Sequence, residues 1–376
     1  MTTLSTAQSA ALTQMLSALI DQEQARVLIP PYANESGFWF GGGNLVRDAT
    51  GVWLCGRYRN FGDSRTGLVA GTRGLECALF RTTDSISAWH QHSFAKVRSW
   101  SKADLSYAGR KVLSIEGTAL HPLPDGRWEL FVSSEKELAY PASVAEYQKP
   151  GTGVWTIDRM TGPSPDQLDP ATLEPVLESF AHPEYLHVKD PVVYDDAQGN
   201  TVLIFCSHPF SWASSNTGLA MRKAGESTFT VQTWEMTGRG AAWDVAATRV
   251  TARLALPPIG LFADQPACSV YFYDGAESLR QLDENKQAKR RPRGYSCEEL
   301  GGALFGWDAA FPQTERLSRL APLFVSPKGT GASRYVDVLT TAEGLMAVWE
   351  QSQADESQPL VSHFLPMAQV KQLLDG

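Results

Sequence analysis

The chain has 376 residues, of which 43% are hydrophobic and 20% charged, and its formal net charge is −8. This acidic balance argues against nucleic acid or an anionic membrane surface as the main partner, and no stretch approaches the ~20 apolar residues of a membrane span. The five cysteines are odd in number and lie mostly within strand-like runs, which favours buried thiols in a reducing cytoplasm.

Residues 1–34 are predicted to form an N-terminal helix and a linker. Apolar residues recur at positions 11, 12, 15, 16, 19 and 20 with helical periodicity, and Pro30 and Pro31 end the helical segment. The segment lacks the basic region that opens a signal peptide. We therefore expect the helix to pack on the outside or at the base of the domain that follows.

Residues 35–376 repeat one pattern five times, a strand, a turn and a second strand followed by outer strands. The copies begin at Gly43, Glu116, Asp190, Asp244 and Arg334. Short β-branched and aromatic runs bounded by Gly, Asp, Asn or Pro are typical of strands, and repeated hairpins at such a period indicate a radial or solenoid array. We predict an all-β fold, a single five-bladed β-propeller with a short N-terminal helix. The fifth copy contains its own strands, so the pattern does not say how the ring closes.

Three of the five copies open on a carboxylate, namely Glu116, Asp190 and Asp244. Because the innermost strand of each propeller blade starts near the central axis, we expect the three acids to share one pocket, about 5–10 Å apart. Carboxyl groups in one pocket suit acid/base chemistry, and glycoside cleavage is one such reaction, in which one acid protonates the leaving oxygen and one carboxylate activates water or attacks. We assign Glu116, which has the longest reach, as proton donor and Asp244 as base. Asp190 would orient the pair and tune its pKa values, and the alternative is that each acid caps amides of a neighbouring blade.

Further side chains near strand starts and in inter-strand loops are assigned to substrate binding. They are Trp39, Asn44, Arg57, Arg59, Asp63, Arg65, His208, Arg249, Asp264, Glu298, Arg334 and Tyr335. Arginines suit bidentate contacts with a carboxylate or sugar hydroxyls, and Trp39 either stacks on a sugar ring or belongs to the core. Surface salt bridging is the alternative for the charged residues. Glu299 follows Glu298 in the run Cys297–Glu299, which precedes a strand and offers another pocket acid.

Metal and cofactor chemistry is not signalled by any Cys or His spacing. His187 and His208 flank the third copy and with Asp190 form a candidate metal site, against the alternative that both are buried core histidines. We predict no cofactor, and the one exception left open is a structural divalent cation in the propeller channel.

Short motifs resemble those of known enzymes. Asp190-Pro191 within Val188–Val193 resembles the Asp-Pro blade motif of five-bladed glycosidases of families 43 and 32. Tyr271–Ala276 is similar to an aromatic strand of those families and of mannoside phosphorylases. Thr82–Trp89 is similar to the sialidase Asp-box, a hairpin remote from the active site. The resemblance implies a propeller over roughly residues 37–365, and a catalytic Asp in blade one.

Gly43 and Asn44 occupy the place of that blade-one Asp. An Asn cannot take a proton from water at neutral pH, so acid and base must come from other blades. The sequence then predicts a glycoside hydrolase-like enzyme that cleaves an oligosaccharide or glycoside by carboxylate acid/base catalysis in the central pocket. The alternatives are a non-catalytic propeller that binds carbohydrate or protein, and a sugar phosphorylase or lyase. The sugar, the linkage and the oligomeric state stay open.

Overall fold

The computed structural model describes residues 3–59, 74–83, 93–211, 214–277 and 299–376. Five antiparallel sheets form a five-bladed β-propeller, and a helix precedes them, so the predicted fold is confirmed. Of the helices in these ranges, none has the length and apolar character needed to cross a membrane.

The blades follow one another in chain order, and in most of them each strand pairs with the next. Blade one contains β2 (Trp39–Gly41), β3 (Leu45–Asp48), β4 (Gly51–Arg59), β5 (Glu76–Thr82) and β6 (Ala95–Ser101). Blade two contains β7 (Val112–Pro122), β8 (Trp128–Lys136), β9 (Val154–Gly162) and β10 (Asp169–Leu177). Blade three contains β11 (His187–Asp195), β12 (Thr201–His208), β13 (Asn216–Arg222) and β14 (Thr230–Thr237). Blade four contains β15 (Ala247–Ala255), β16 (Cys268–Ala276), β17 (Leu300–Trp307) and β18 (Glu315–Arg316). Blade five contains β19 (Ser333–Thr340), β20 (Gly344–Gln351), β21 (Leu360–Pro366) and β1 (Arg26–Ile29).

The ring closes through the first strand of the chain. β1 pairs antiparallel with β21, so that Arg26 lies opposite Ser362 and Val27 opposite Val361. The outermost strand of the last blade therefore comes from the N-terminus, and main-chain hydrogen bonds join the two ends of the domain.

Two helices pack together against blades four and five. α1 (Thr6–Leu19) begins with a capping box in which Ser5 and Gln8 exchange side-chain and main-chain hydrogen bonds. Its buried stripe includes Leu12, Met15 and Leu16, and it contacts α2 (Met367–Leu374). Full burial of each such side chain stabilises the fold by about 1.5–3 kcal/mol. The helix predicted from the apolar spacing is confirmed.

The inner strands of blades two to five are bulged shortly after they begin. The pairing register shifts between Ile115 and Thr118 in β7, and between Lys189 and Val192 in β11. The inner strands of blades four and five shift in the same way. A bulge re-aims the local side chains, and here it turns them toward the axis of the propeller.

Candidate active site

Ten charged side chains from all five blades meet where inner strands begin and second strands end. They are Arg57, Arg59, Glu116, Lys189, Asp190, Arg249, Asp274, Glu299, Arg334 and Glu350. We call this set the axial cluster. All but Glu299 are buried, and the Glu299 side chain is 22% exposed, which makes it the most accessible carboxylate of the set.

Blades one, two and five are joined by arginines on β4. Arg57 donates to Glu116 Oε1 from Nη2 at 2.9 Å and to Glu350 Oε1 from Nη1 at 2.5 Å. Arg59 Nη1 contacts both carboxylate oxygens of Glu116, at 2.9 and 3.0 Å. Glu116 is therefore held by two guanidinium groups.

Blades three, four and five are joined by two further arginines. Arg334 donates to Glu350 Oε2 from Nε at 2.8 Å and to Glu299 from Nη1. Arg249 Nη2 donates to Asp274 Oδ2 at 2.7 Å and to Glu299 Oε2 at 3.0 Å, and its Nη1 contacts Asp190 Oδ2 at 3.4 Å. The ion pairs thus form one connected network around the axis.

Tyr335 lies inside this network. Its ring centroid is 4.1 Å from the guanidinium carbon of Arg249, 4.9 Å from that of Arg57 and 5.5 Å from that of Arg334. Its backbone N–H donates to both oxygens of Asp274 at 3.1 Å. The aromatic ring therefore holds three cations within cation–π distance.

Backbone strain accompanies the cluster. Asp190 has φ 55° and Tyr335 has φ 53°, both in the left-handed region that non-glycine residues rarely adopt, and Gly42 has φ 65° at the corresponding break in blade one. Gly117 donates its N–H to Asp190 Oδ1 at 3.2 Å, and a Cβ on Gly117 would lie 2.7 Å from that oxygen. Glycine at 117 is therefore required for the close approach of blades two and three.

The carboxyl groups of the cluster differ in proton affinity. Burial alone would raise the pKa of Glu116, but Arg59 and Arg57 together with Lys189 hold it well below its usual range. Arg249 and Arg334 likewise outweigh burial and hold the pKa of Glu299 well below its usual range. Burial, with the nearby charge of Glu299, raises the pKa of Asp274 to about 7 against the opposing effect of Arg249.

Of the three acids assigned to catalysis, Glu116 and Asp190 lie in the axial cluster, whereas the contacts of Asp244 lie elsewhere. Asp244 precedes β15, and its Oδ2 accepts from Arg316 Nε at 2.6 Å and from the Tyr273 hydroxyl at 3.1 Å. Successive strand residues face opposite sides of a sheet. Tyr273 therefore contacts Asp244 on one face of blade four, while Asp274 faces blade five on the other.

The expected binding residues that the structure describes divide into three groups. Trp39, Arg57, Arg59, Arg249, Arg334 and Tyr335 belong to the cluster or stack on it. Asn44 uses its amide on the main chain of Leu120, and His208 binds the Ser214 carbonyl at 2.9 Å. Asp264 is exposed in the connection from β15 to β16, at the opposite end of β15 from Arg249. Asp63, Arg65 and Glu298 lie outside the described residues.

The histidine site also differs from the metal hypothesis. His187 contacts the Tyr140 hydroxyl at 3.2 Å, and burial with the charge of Lys189 lowers its pKa to about 3. In the described part of the chain, no group of three His, Cys, Asp or Glu side chains is placed to hold a metal ion.

Four cluster members were missed or only approached from the sequence. Asp274 and Glu350 sit near the ends of second strands, directly opposite Arg249 and Arg334 in the ladder. Lys189 adjoins Asp190, and Glu299 was noted only as part of an acidic run. The available signal was the cross-strand pairing of an inner-strand Arg with a second-strand acid, in both blades four and five.

Below the cluster, the inner strands surround an axial channel. Its wall includes Thr118, Pro191 and Thr251, and further along Asn44 and Asp337. Burial raises the pKa of Asp337 to about 6, although its carboxylate accepts the Leu45 N–H at 2.7 Å. Asp337 is half-buried on the wall of the channel, and it pairs with none of the cations of the axial cluster.

No family model and no curated protein matches the chain by sequence. Solved structures do match it in fold. One described as a glycoside hydrolase has a TM-score of 0.64 at 10% identity, with 96% of each chain covered. An α-L-arabinofuranosidase from Lactobacillus brevis has a TM-score of 0.55 at 11% identity, covering 91% of this chain and 93% of that one. A GH43_1 enzyme from Xanthomonas citri complexed with xylotriose has a TM-score of 0.53 at 8% identity, covering 95% and 93%.

The chain has the fold of the five-bladed glycoside hydrolases. The resemblance noted in the Asp190-Pro191 motif therefore extends to the whole architecture. At these identities the likeness shows the fold alone. The chemistry of this chain depends on the side chains of the axial cluster.

Proposed function

We propose that this protein is a glycosidase that hydrolyses a glycosidic bond at the axial cluster, with Asp274 and Glu299 as its acid/base pair. The observation that carries the proposal is the shared contact of both carboxyl groups with Arg249 Nη2, at 2.7 and 3.0 Å. Two oxygens that contact the same nitrogen cannot be farther apart than the sum of the two N–O distances. That limit is close to the about 5–5.5 Å of retaining glycosidases and below the about 6.5–9.5 Å of inverting ones.

Asp274 is the proposed proton donor. A donor must carry its proton near neutral pH, and the pKa of Asp274 is raised to about 7 by burial and by the charge of Glu299. Environments that push the pKa values of neighbouring carboxyl groups apart set which one is the acid and which one the base. The low pKa of Glu116 makes that residue unsuited to the donor role first assigned to it.

Glu299 is the proposed nucleophile or base. Its pKa lies well below the usual range, so it is ionised at neutral pH, and its side chain is the most exposed carboxylate of the cluster. Arg249 and Arg334 orient it through their Nη2 and Nη1 atoms. A carboxylate that is both ionised and accessible can attack an anomeric carbon or activate water.

The remaining acids position the cations. Asp190, fixed by its left-handed backbone and by the Gly117 N–H, holds the other side of Arg249. Glu116 accepts hydrogen bonds from Arg57 and Arg59 of blade one and fixes the positions of both side chains. We treat Glu116 and Asp190 as positioning residues, because their contacts are with protein groups that surround the pair.

The test is product release from a panel of aryl glycosides and oligosaccharides, with and without inorganic phosphate. Hydrolysis without phosphate, lost in both Asp274→Asn and Glu299→Gln variants that remain folded, supports the proposal. A strict phosphate requirement would indicate the phosphorylase alternative. Sugar-induced thermal stabilisation without turnover of any substrate would favour the binding module.

A further inference from the structure

Within the ranges that the structure describes, two buried N–H donors beside the proposed pair have no acceptor. Arg334 is 9% exposed and Trp39 is 8% exposed, and neither Arg334 Nη2 nor Trp39 Nε1 has a hydrogen-bond partner among the described residues. The Arg334 guanidinium carbon lies 4.6 Å from the Trp39 ring centroid, so the two side chains stack. A buried donor without an acceptor costs about 1–3 kcal/mol, and more when it is charged.

The other donors of Arg334 are already in use. Its Nε contacts Glu350 and its Nη1 contacts Glu299, so Nη2 is the guanidinium nitrogen that remains for a ligand. The contact with Glu299 places this donor beside the carboxylate proposed to attack the glycoside. An acceptor bound to Nη2 would therefore belong to a molecule that also occupies the reaction site.

The surroundings favour an anionic acceptor. Trp39 contacts a second cation, because the guanidinium carbon of Arg59 lies 4.9 Å from the Trp39 ring centroid. Five cations face five carboxyl groups in the axial cluster, and the raised pKa of Asp274 leaves the cations in excess near neutral pH. Buried arginine donors bind carboxylates more strongly than neutral hydroxyls, because charge-assisted hydrogen bonds are about twice as strong as neutral ones.

We infer that Arg334 Nη2 and Trp39 Nε1 form a subsite for the carboxylate of an acidic sugar, so that the substrate class is uronate-bearing glycosides. The inference rests on the proposed function for the identity of the site, and it adds the substrate class. Blades five and one each contribute one donor, and a carboxylate has two oxygens to accept them. A neutral pentose or hexose offers no anionic oxygen to compensate the buried guanidinium.

The experiment is calorimetric titration of the full chain with galacturonate and glucuronate, with galactose, glucose and inorganic phosphate as comparison ligands. The first variant is Trp39→Phe, which keeps the aromatic face and removes the N–H. The second is Arg334→Lys, which keeps the positive charge and removes the planar guanidinium with its several N–H donors. Trp100→Phe is the matched control, because Trp100 Nε1 is also buried with no acceptor in the described part of the chain but lies on β6, the outermost strand of blade one.

We expect a uronate to bind at least tenfold more tightly than its neutral counterpart. Each site variant should weaken that binding about tenfold or more, as loss of a hydrogen bond to a charged group predicts, and Trp100→Phe should leave it unchanged. Equal binding of neutral and acidic sugars, or binding of phosphate but of neither uronate, overturns the inference. An unfolded Arg334→Lys leaves the decision to Trp39→Phe.

Failure of this inference and failure of the proposed function give different results. Uronate binding without turnover of any glycoside leaves the subsite standing and removes the glycosidase. Turnover of neutral glycosides with no preference for the matching glucuronide or galacturonide leaves the glycosidase standing and removes the subsite.

Discussion

Asp274 and Glu299 accept hydrogen bonds from the same guanidinium nitrogen, Arg249 Nη2, and their pKa values are displaced in opposite directions. The difference has a physical cause. Glu299 receives a second arginine, Arg334, whereas Asp274 is more deeply buried and feels the negative charge of Glu299. With a pKa of about 7, one carboxyl group of the pair titrates near neutral pH, while the other is ionised there.

Replacing the proposed proton donor should lower turnover much more for substrates with a poor leaving group than for substrates with a good one. Asp274→Asn removes the proton and keeps the volume, so turnover of unactivated glycosides should fall by about 10²–10⁴-fold. A 2,4-dinitrophenyl glycoside of the same sugar needs little protonation, and its turnover should fall far less. Steady-state kinetics on the two substrates measures the difference.

Asp337→Asn is the matched control for this variant, because Asp337 is a second Asp with a raised pKa, about 6, and lies half-buried on the axial channel. It should leave both rates near those of the wild type. An equal loss on both substrates in Asp274→Asn would contradict a donor role for Asp274.

The pH dependence of wild-type activity should reflect the titration of Asp274. Because the protonated form of Asp274 is the active one, kcat/KM should decline as the pH rises through about 7. Asp274 also favours the folded state in its protonated form. Its pKa of about 7 in the folded chain exceeds the ~3.9 of an unfolded Asp, so its contribution to stability is complete below about pH 4 and is lost as the pH rises through 7.

Chemical denaturation from pH 4 to pH 8 checks the stability effect. Asp274→Asn should flatten the fall in unfolding free energy between these limits relative to the wild type, and it should abolish the alkaline limb of kcat/KM. An alkaline limb that persists in the variant would assign that limb to another group.

Glu116→Gln should act mainly on stability. The substitution removes the negative charge that Arg57 and Arg59 share, and removing one partner of a buried ion pair costs about 3–5 kcal/mol. The pKa of Glu116 is depressed in the folded chain, so the stability that it contributes is present at neutral pH and is lost only in strong acid.

Urea unfolding at pH 7 measures this loss. The control is Glu137→Gln, which breaks an ion pair with Lys111 whose two side chains are 58% and 65% exposed, and which should cost less than about 1 kcal/mol. A Glu116→Gln variant as stable as Glu137→Gln would show that the buried network does not stabilise the fold.

The propeller and its leading helix were predictable from the sequence because hairpin repeats and helical periodicity are local patterns. Ring closure was not predictable. The pairing of Val27 with Val361 joins strands from opposite ends of the chain, and no local sequence pattern identifies which strands pair. The sequence pointed to Glu116 and Asp190 because each lies near the start of an inner strand. It did not point to Asp274, because the repeat pattern is read from inner strands and Asp274 reaches the cluster from the second strand of blade four.

Asp244 marks the limit of that reasoning. It lies three residues before β15, and the inner-strand residue of blade four that reaches the cluster is Arg249, five residues further along the chain. A repeat aligned by residue type can be displaced by several positions, and the displacement selects which face of the blade a side chain occupies.

Asp244→Asn is the substitution that separates the two assignments of the base. Asp244 is fully buried, and its Oδ2 accepts from Arg316 and from Tyr273, so the amide should weaken that ion pair and lower the unfolding free energy. Turnover should stay within a few-fold of the wild type, because both partners of Asp244 lie outside the axial cluster. Parallel measurement of urea unfolding and of kcat, with Glu299→Gln alongside, tests both statements. Loss of turnover in a folded Asp244→Asn variant, with Glu299→Gln active, would restore Asp244 as the base and place the reaction on the blade-three side of blade four.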